Sequence, residues 1–170
     1  MNDHVLVATV GNIFLGDDGF GCDVARALLR RDTPRGIIVR DFGTRTLDLE
    51  MALEGAAACI VIDVVNKPAA PGTLYVIDPA GAGADMAESS AQGHAATSTD
   101  VVLRVAARVG REQTPRAVRV LGCVPETFGE AGEGALGLSD SVARAVEPAA
   151  DLAIETALSL QKELSCTSSR

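Results

Sequence analysis

The sequence predicts a three-layer α/β domain: a mostly parallel, twisted sheet of about five strands, one edge strand antiparallel, with helices on both faces. Three observations carry this expectation. Short apolar runs alternate with segments of helical periodicity along the chain. One run, Cys59-Ile60-Val61-Ile62, is apolar at consecutive positions, as a central parallel strand covered on both faces requires. The first three runs stop at Gly11-Asn12, Asp41 and Asp63, residue types that favour loops over strand interiors.

The elements follow in order. Val5–Val10 is the first strand, and beyond the loop Phe20, Val24, Ala27 and Leu28 share one helix face. Residues 37–39 form the second strand, ending at Asp41, and Gly43-Thr44-Arg45-Thr46 leads into a short helix around 47–53. The third strand stops at Asp63. The turn cluster 67–72 is too short for a crossover helix, so 73–77 is expected to return antiparallel at a sheet edge. Residues 80–93, rich in Ala, Gly and Ser, show no period. Ser98 and Thr99 then offer caps for a helix carrying Val101, Val102, Val105 and Val109. Residues 118–124 form a further strand closed by Pro125, and 129–137 is a Gly-rich loop. The last helix runs from near Ser139 to about Leu164, with Pro148 kinking it or opening a new segment. One domain over 1–164 is expected, with 165–170 as a frayed tail.

If the second and third strands flank the first, the chain reverses direction there. Sheets of this kind bind ligands in the crevice so created, at the carboxyl ends of strands one and three. Asp18 and Asp63 both fall at that crevice.

A chain of 170 residues, 47% hydrophobic and 22% charged, can build one core without disulfide or structural metal. Its formal net charge of -8 repels phosphate backbones and anionic lipid, and one Tyr, four Phe and no Trp are too few for base stacking. Neither nucleic acid nor membrane is an expected partner. Cys22, Cys59, Cys123 and Cys166 have no paired spacing, no basic leader precedes the first strand, and no apolar run reaches the roughly 18 residues of a membrane helix. A cytoplasmic monomer with free thiols is expected.

The loop after the first strand, Gly11-Asn12-Ile13-Phe14-Leu15-Gly16, invites comparison with phosphate-binding loops, but Asp17 and Asp18 stand where a Walker loop has Lys and Ser or Thr. Gly16, Gly19 and Gly21 also reverse the dinucleotide spacing. An acidic loop with permissive glycines suits a cation. Of the two histidines, His4 opens the first strand at the far edge of the sheet, so His94 alone is available to join Asp18 and Asp63. Two carboxylates and an imidazole make three ligands for a divalent metal such as Zn, Ni, Mn or Fe, with positions left open. An Asp at a strand end also serves commonly as a loop solubiliser or helix cap. Gly137-Leu138-Ser139-Asp140-Ser141 lacks the final glycine of a nucleophile elbow, so Ser139 reads as a cap; no Cys has a basic neighbour in sequence, so none reads as a nucleophile.

The segment Gly11-Asn12-Ile13-Phe14-Leu15-Gly16-Asp17-Asp18-Gly19-Phe20-Gly21 resembles the opening motif of the hydrogenase maturation proteases. The resemblance continues through Asp41-Phe42-Gly43-Thr44, Val61-Ile62-Asp63-Val64, Pro71-Gly72-Thr73, His94, Gly122-Cys123-Val124-Pro125-Glu126 and Gly137-Leu138-Ser139. It implies an endopeptidase that removes a C-terminal extension from the large-subunit precursor of a [NiFe] hydrogenase after nickel insertion. It implies Asp18, Asp63 and His94 as nickel contacts, with Asp17 as the runner-up to Asp18. Asp18 and Asp63 would be catalytic, and Asp41, Gly43 and Thr44 would bind substrate. Phe42 and Thr46 stand where the family has glycines. The nickel would arrive with the substrate, and no resident organic cofactor is expected. Residues 80–93 and 129–137 are expected to set the choice of hydrogenase, with Phe128 and Leu136 as exposed contacts or as packing residues. Alternative readings are a non-cleaving nickel-binding or checkpoint module and, from fold class alone, a nucleotide binder that the acidic loop disfavours.

Overall fold

Seven consecutive buried residues, Ala58–Val64, form the strand around which the rest is organised. The computed structural model describes residues 4–79, 115–128 and 134–167; His94 and the helix expected after Ser98 lie outside them. The described elements are β1 (Val5–Val10), α1 (Phe20–Leu29), β2 (Ile37–Gly43), α2 (Thr46–Leu53), β3 (Ala58–Val64), β4 (Leu74–Ile77), β5 (Ala117–Cys123), α3 (Asp140–Ala143) and α4 (Val146–Thr167), with a 3-10 turn over Gly16–Gly19 before α1.

The sheet order is β2-β1-β3-β5-β4. β1 pairs parallel with β2 and β3, β3 pairs parallel with β5, and β4 runs antiparallel to β5 at an edge, as the short 67–72 turn requires. Strands two and three therefore flank strand one, and the crevice opens where the topology reverses.

Alternation along each strand divides the core into two layers. Val5, Val7, Ile60 and Ile62 face α1 and α4, whereas Leu6, Ala8, Cys59 and Val61 face the layer that holds Leu49 and Leu53 of α2. In α4, Ala149, Ala153, Ala157 and Leu160 form a buried stripe whose small side chains let the helix lie close to the sheet. Arg30 pairs with Glu147, and Arg31 with Glu147 and Asp151, tying α1 to α4 at the surface. These exposed pairs add little beside the burial beneath them.

Pro148 lies in the first turn of α4, where its missing N–H breaks no intrahelical bond, so it opens a segment after the short α3. α4 continues to Thr167, past the end expected at 164. No Gly or Pro follows Leu164, and the Ser165 hydroxyl donates to the Lys162 carbonyl at 2.8 Å. β2 likewise runs beyond Asp41 to Gly43, because Asp41 and Gly43 stay in register with Thr9 and Val10 across a local irregularity, and Phe42 is buried in the α2 layer. Among the described residues no helix is long and apolar enough to cross a membrane.

Candidate functional site

The loop after β1 folds back on itself. Gly11 has φ 145°, and a Cβ there would lie 2.0 Å from the Asp18 carbonyl oxygen, so only glycine lets the two ends of the loop meet. The Asn12 amide donates to the Asp18 carbonyl at 3.2 Å and to its carboxylate at 2.8 Å, while the Asn12 side chain accepts from the Phe14 amide at 3.0 Å. Gly21, one residue into α1, completes the placement. A Cβ there would sit 2.1 Å from the Val10 carbonyl and 3.0 Å from that of Ile62, so the start of α1 presses on the ends of β1 and β3.

Within the 3-10 turn the two aspartates meet opposite environments. Asp17 is fully buried. Its Oδ2 accepts the amides of Glu126 at 2.7 Å and Thr127 at 2.9 Å and the Ser139 hydroxyl at 3.0 Å, and its Oδ1 accepts the Ser139 amide at 2.7 Å. Asp18 is half-buried. Burial raises its pKa above the ordinary 3.8, an effect that the Asn12 amide partly offsets. Asp63, at the penultimate position of β3, is 3% exposed, and its Oδ1 accepts the Val64 amide at 2.8 Å.

A second cluster lies over the end of β2. Asp41 Oδ1 accepts the Thr9 hydroxyl at 3.1 Å, the Gly43 amide at 3.0 Å and the Cys22 thiol at 3.7 Å, and Arg45 donates to the Asp41 carbonyl at 2.9 Å. Burial, followed by the charge and hydrogen bond of Asp41, pushes the Cys22 thiol up to about 12, so it serves as a protonated donor and not as a nucleophile. Burial also raises Cys59 and Cys123; all four cysteines are free thiols. Asn12, Phe14, Arg26, Asp41, Gly43 and Thr44 line a groove of about 340 Å³ between the two loops, and neither Asp18 nor Asp63 contributes to its walls.

The residues singled out in the sequence thus assemble in two places along one edge of the sheet. Asp18 lies in the turn after β1 and Asp63 near the end of the adjacent β3, whereas Asp41 and Gly43 end β2 and Thr44 follows it. His94 lies outside the described residues, and among those described no three His, Cys, Asp or Glu side chains converge as a metal would need. Ser139 departs from its expected role. It occupies the position before α3, but its hydroxyl donates to Asp17 and not to the helix. Sequence reasoning missed this clamp, because its donors come from 109 to 122 residues further along the chain. Part of the expected 129–137 loop is also pinned: Ala135 bridges Leu15, the Gly16 amide donates to the Ala135 carbonyl at 2.8 Å, and Leu136 is left 81% exposed. Phe128 packs against the main core.

The hydrogenase maturation protease (HycI) family model matches residues 22–156. The hydrogenase expression/formation protein HoxM of Azotobacter vinelandii is 30% identical over 153 residues, 89% of this chain and 71% of that protein. Among solved structures, a hydrogenase 2 maturation peptidase from Thaumarchaeota archaeon SCGC_AB-539-E09 is 30% identical, with a TM-score of 0.64 over 90% of this chain and 97% of that one. The hydrogenase maturating endopeptidase HybD from E. coli is 26% identical, with a TM-score of 0.66 over 88% of each chain. The family-model match runs from the start of α1 into α4 and so takes in β2, β3, β4 and β5. The chain belongs to the hydrogenase maturation protease family and, by that membership, is a peptidase.

Proposed function

We propose that this chain is the endopeptidase that removes the C-terminal extension of a [NiFe] hydrogenase large-subunit precursor once nickel has been inserted, with Asp18, Asp63 and His94 reading the nickel that the precursor carries. The observation behind this reading is the half-buried carboxylate of Asp18, held by the Asn12 amide in the loop that follows β1, with the buried Asp63 near the end of the neighbouring strand β3. A carboxylate partly stripped of water gains more from an incoming cation than an exposed one does, because the cation replaces the compensation that solvent no longer supplies. A nickel-loaded precursor would then bind in preference to an empty one, which enforces insertion before cleavage.

The same desolvation makes Asp18 a stronger base, suited to take a proton from the attacking water, with Asp63 as the second carboxylate of the site. Asp41, Gly43 and Thr44 would take the precursor's polypeptide in the adjacent groove, where Gly43, at φ 52° and without a Cβ, leaves room for close backbone approach. Nickel belongs to the substrate in this scheme, no organic cofactor takes part, and the protein acts as a cytoplasmic monomer.

The test is to incubate the chain with nickel-loaded and nickel-free forms of a matched precursor and weigh the products by mass spectrometry. Release of a peptide from the loaded form alone is expected. Failure on both refutes the proposal, and a stable complex that releases nothing identifies a checkpoint module instead.

A further inference from the structure

We infer that Asp17 and Ser139 form a positioning pair that holds Asp18 in its working orientation, and that Asp17 does not itself contact the metal. An ionised carboxylate has about four acceptor sites on its two oxygens. Asp17 fills that capacity with three amides and one hydroxyl, and it has no exposed surface. A cation could reach it only by displacing those donors.

The donors belong to two segments separated in sequence, the loop after β5 and the start of α3. The Asp17 amide returns the contact by donating to the Thr127 carbonyl at 3.0 Å. The turn is thus stitched to the rest of the domain through residue 17, while its next residue carries the half-buried carboxylate. In a 3-10 turn successive side chains point about 120° apart. Pinning Asp17 inward therefore sets the direction in which Asp18 leaves the turn, and the Asn12 amide holds the Asp18 carboxylate there.

The hydrogen-bond pattern predicts which variants disturb this arrangement. An Asn at position 17 must turn its NH2 toward at least the Ser139 amide, setting donor against donor, whereas Ser139→Ala removes one donor and keeps the charge. The kinetic consequence rests on the proposed processing activity; the structural consequence does not.

The experiment compares wild-type chain, Asp17→Asn and Ser139→Ala by amide hydrogen exchange, reading Asn12 against Ile60 in the core strand, alongside kcat/KM on nickel-loaded precursor. For Asp17→Asn we expect Asn12 exchange to rise at least about 10-fold more than that of Ile60, with kcat/KM on the loaded precursor falling roughly 100-fold. Ser139→Ala moves the same readouts in the same direction by less. An unchanged Asn12-to-Ile60 ratio in Asp17→Asn overturns the inference, and if that variant does not fold, an unchanged ratio in Ser139→Ala does so. Inactive wild-type protein would count against the proposed activity alone, since the exchange ratio decides the positioning role without it.

Discussion

Asp17 and Asp18 are joined by one peptide bond, yet they sit in two chemically opposite regions. Asp17 lies where the loop after β5 and the start of α3 converge, and its acceptor capacity is fully engaged. Asp18 lies at the crevice, half-desolvated, and its carboxylate engages one amide among the described residues. Burial with full hydrogen bonding makes a carboxylate part of the architecture. Burial with incomplete hydrogen bonding leaves it with free energy to gain from a cation or a proton.

The largest expected difference between them is in stability. Asp17→Ala strands the Glu126, Thr127 and Ser139 amides, and we expect a loss of about 3–4 kcal/mol and a fall in Tm of roughly 10 °C by calorimetry. Asp18→Ala, which frees only the Asn12 amide near solvent, should leave Tm within about 2 °C of wild type. Equal losses would abolish the distinction.

Next in size is the effect on activity at the partner carboxylate. Asp63→Asn keeps an oxygen to accept the Val64 amide but removes the charge, so we expect processing of loaded precursor to fall at least about 100-fold with the circular dichroism spectrum unchanged. Retained processing would remove Asp63 from the proposed site.

A smaller effect concerns pH. Because the Asp18 pKa is higher in the folded chain, the folded state holds a proton over a range of pH where the unfolded state has lost it. Stability contributed by this group therefore falls as pH rises from 3.8 through the folded pKa, and the cost is fully present above it. Asp18→Asn removes that cost. The variant should melt on the order of 1–3 °C above wild type at neutral pH, with the gap closing in acid. A gap that widens in acid would contradict the desolvation argument. The smallest test extends the rule to thiols: at about pH 8 a thiol reagent should label exposed Cys166 and spare Cys22, Cys59 and Cys123 until the chain unfolds.

Much of the fold was legible because its determinants are local. The doubly apolar run at Cys59–62, the short 67–72 turn and the helical spacing of Phe20, Val24 and Leu28 each dictate an element or a direction without reference to distant residues. The carboxyl-edge location of Asp18 and Asp63 follows from those elements. Boundaries were harder to read. β2 and α4 both extend past their expected ends, since pairing with β1 and an unbroken helical sequence outweighed the local stop signals.

What the sequence determined by itself is therefore the layered, mostly parallel sheet and an acidic loop after its first strand, since strand periodicity and short connections act over a few residues. The strand order β2-β1-β3-β5-β4 is set by pairing between distant segments. Only the tertiary structure decided which of two adjacent aspartates turns inward. That choice depends on amides and a hydroxyl from residues 126, 127 and 139, which chain folding alone brings to the loop. Residue identity shows that a charge is present; the donors around it determine whether that charge is fully satisfied within the fold.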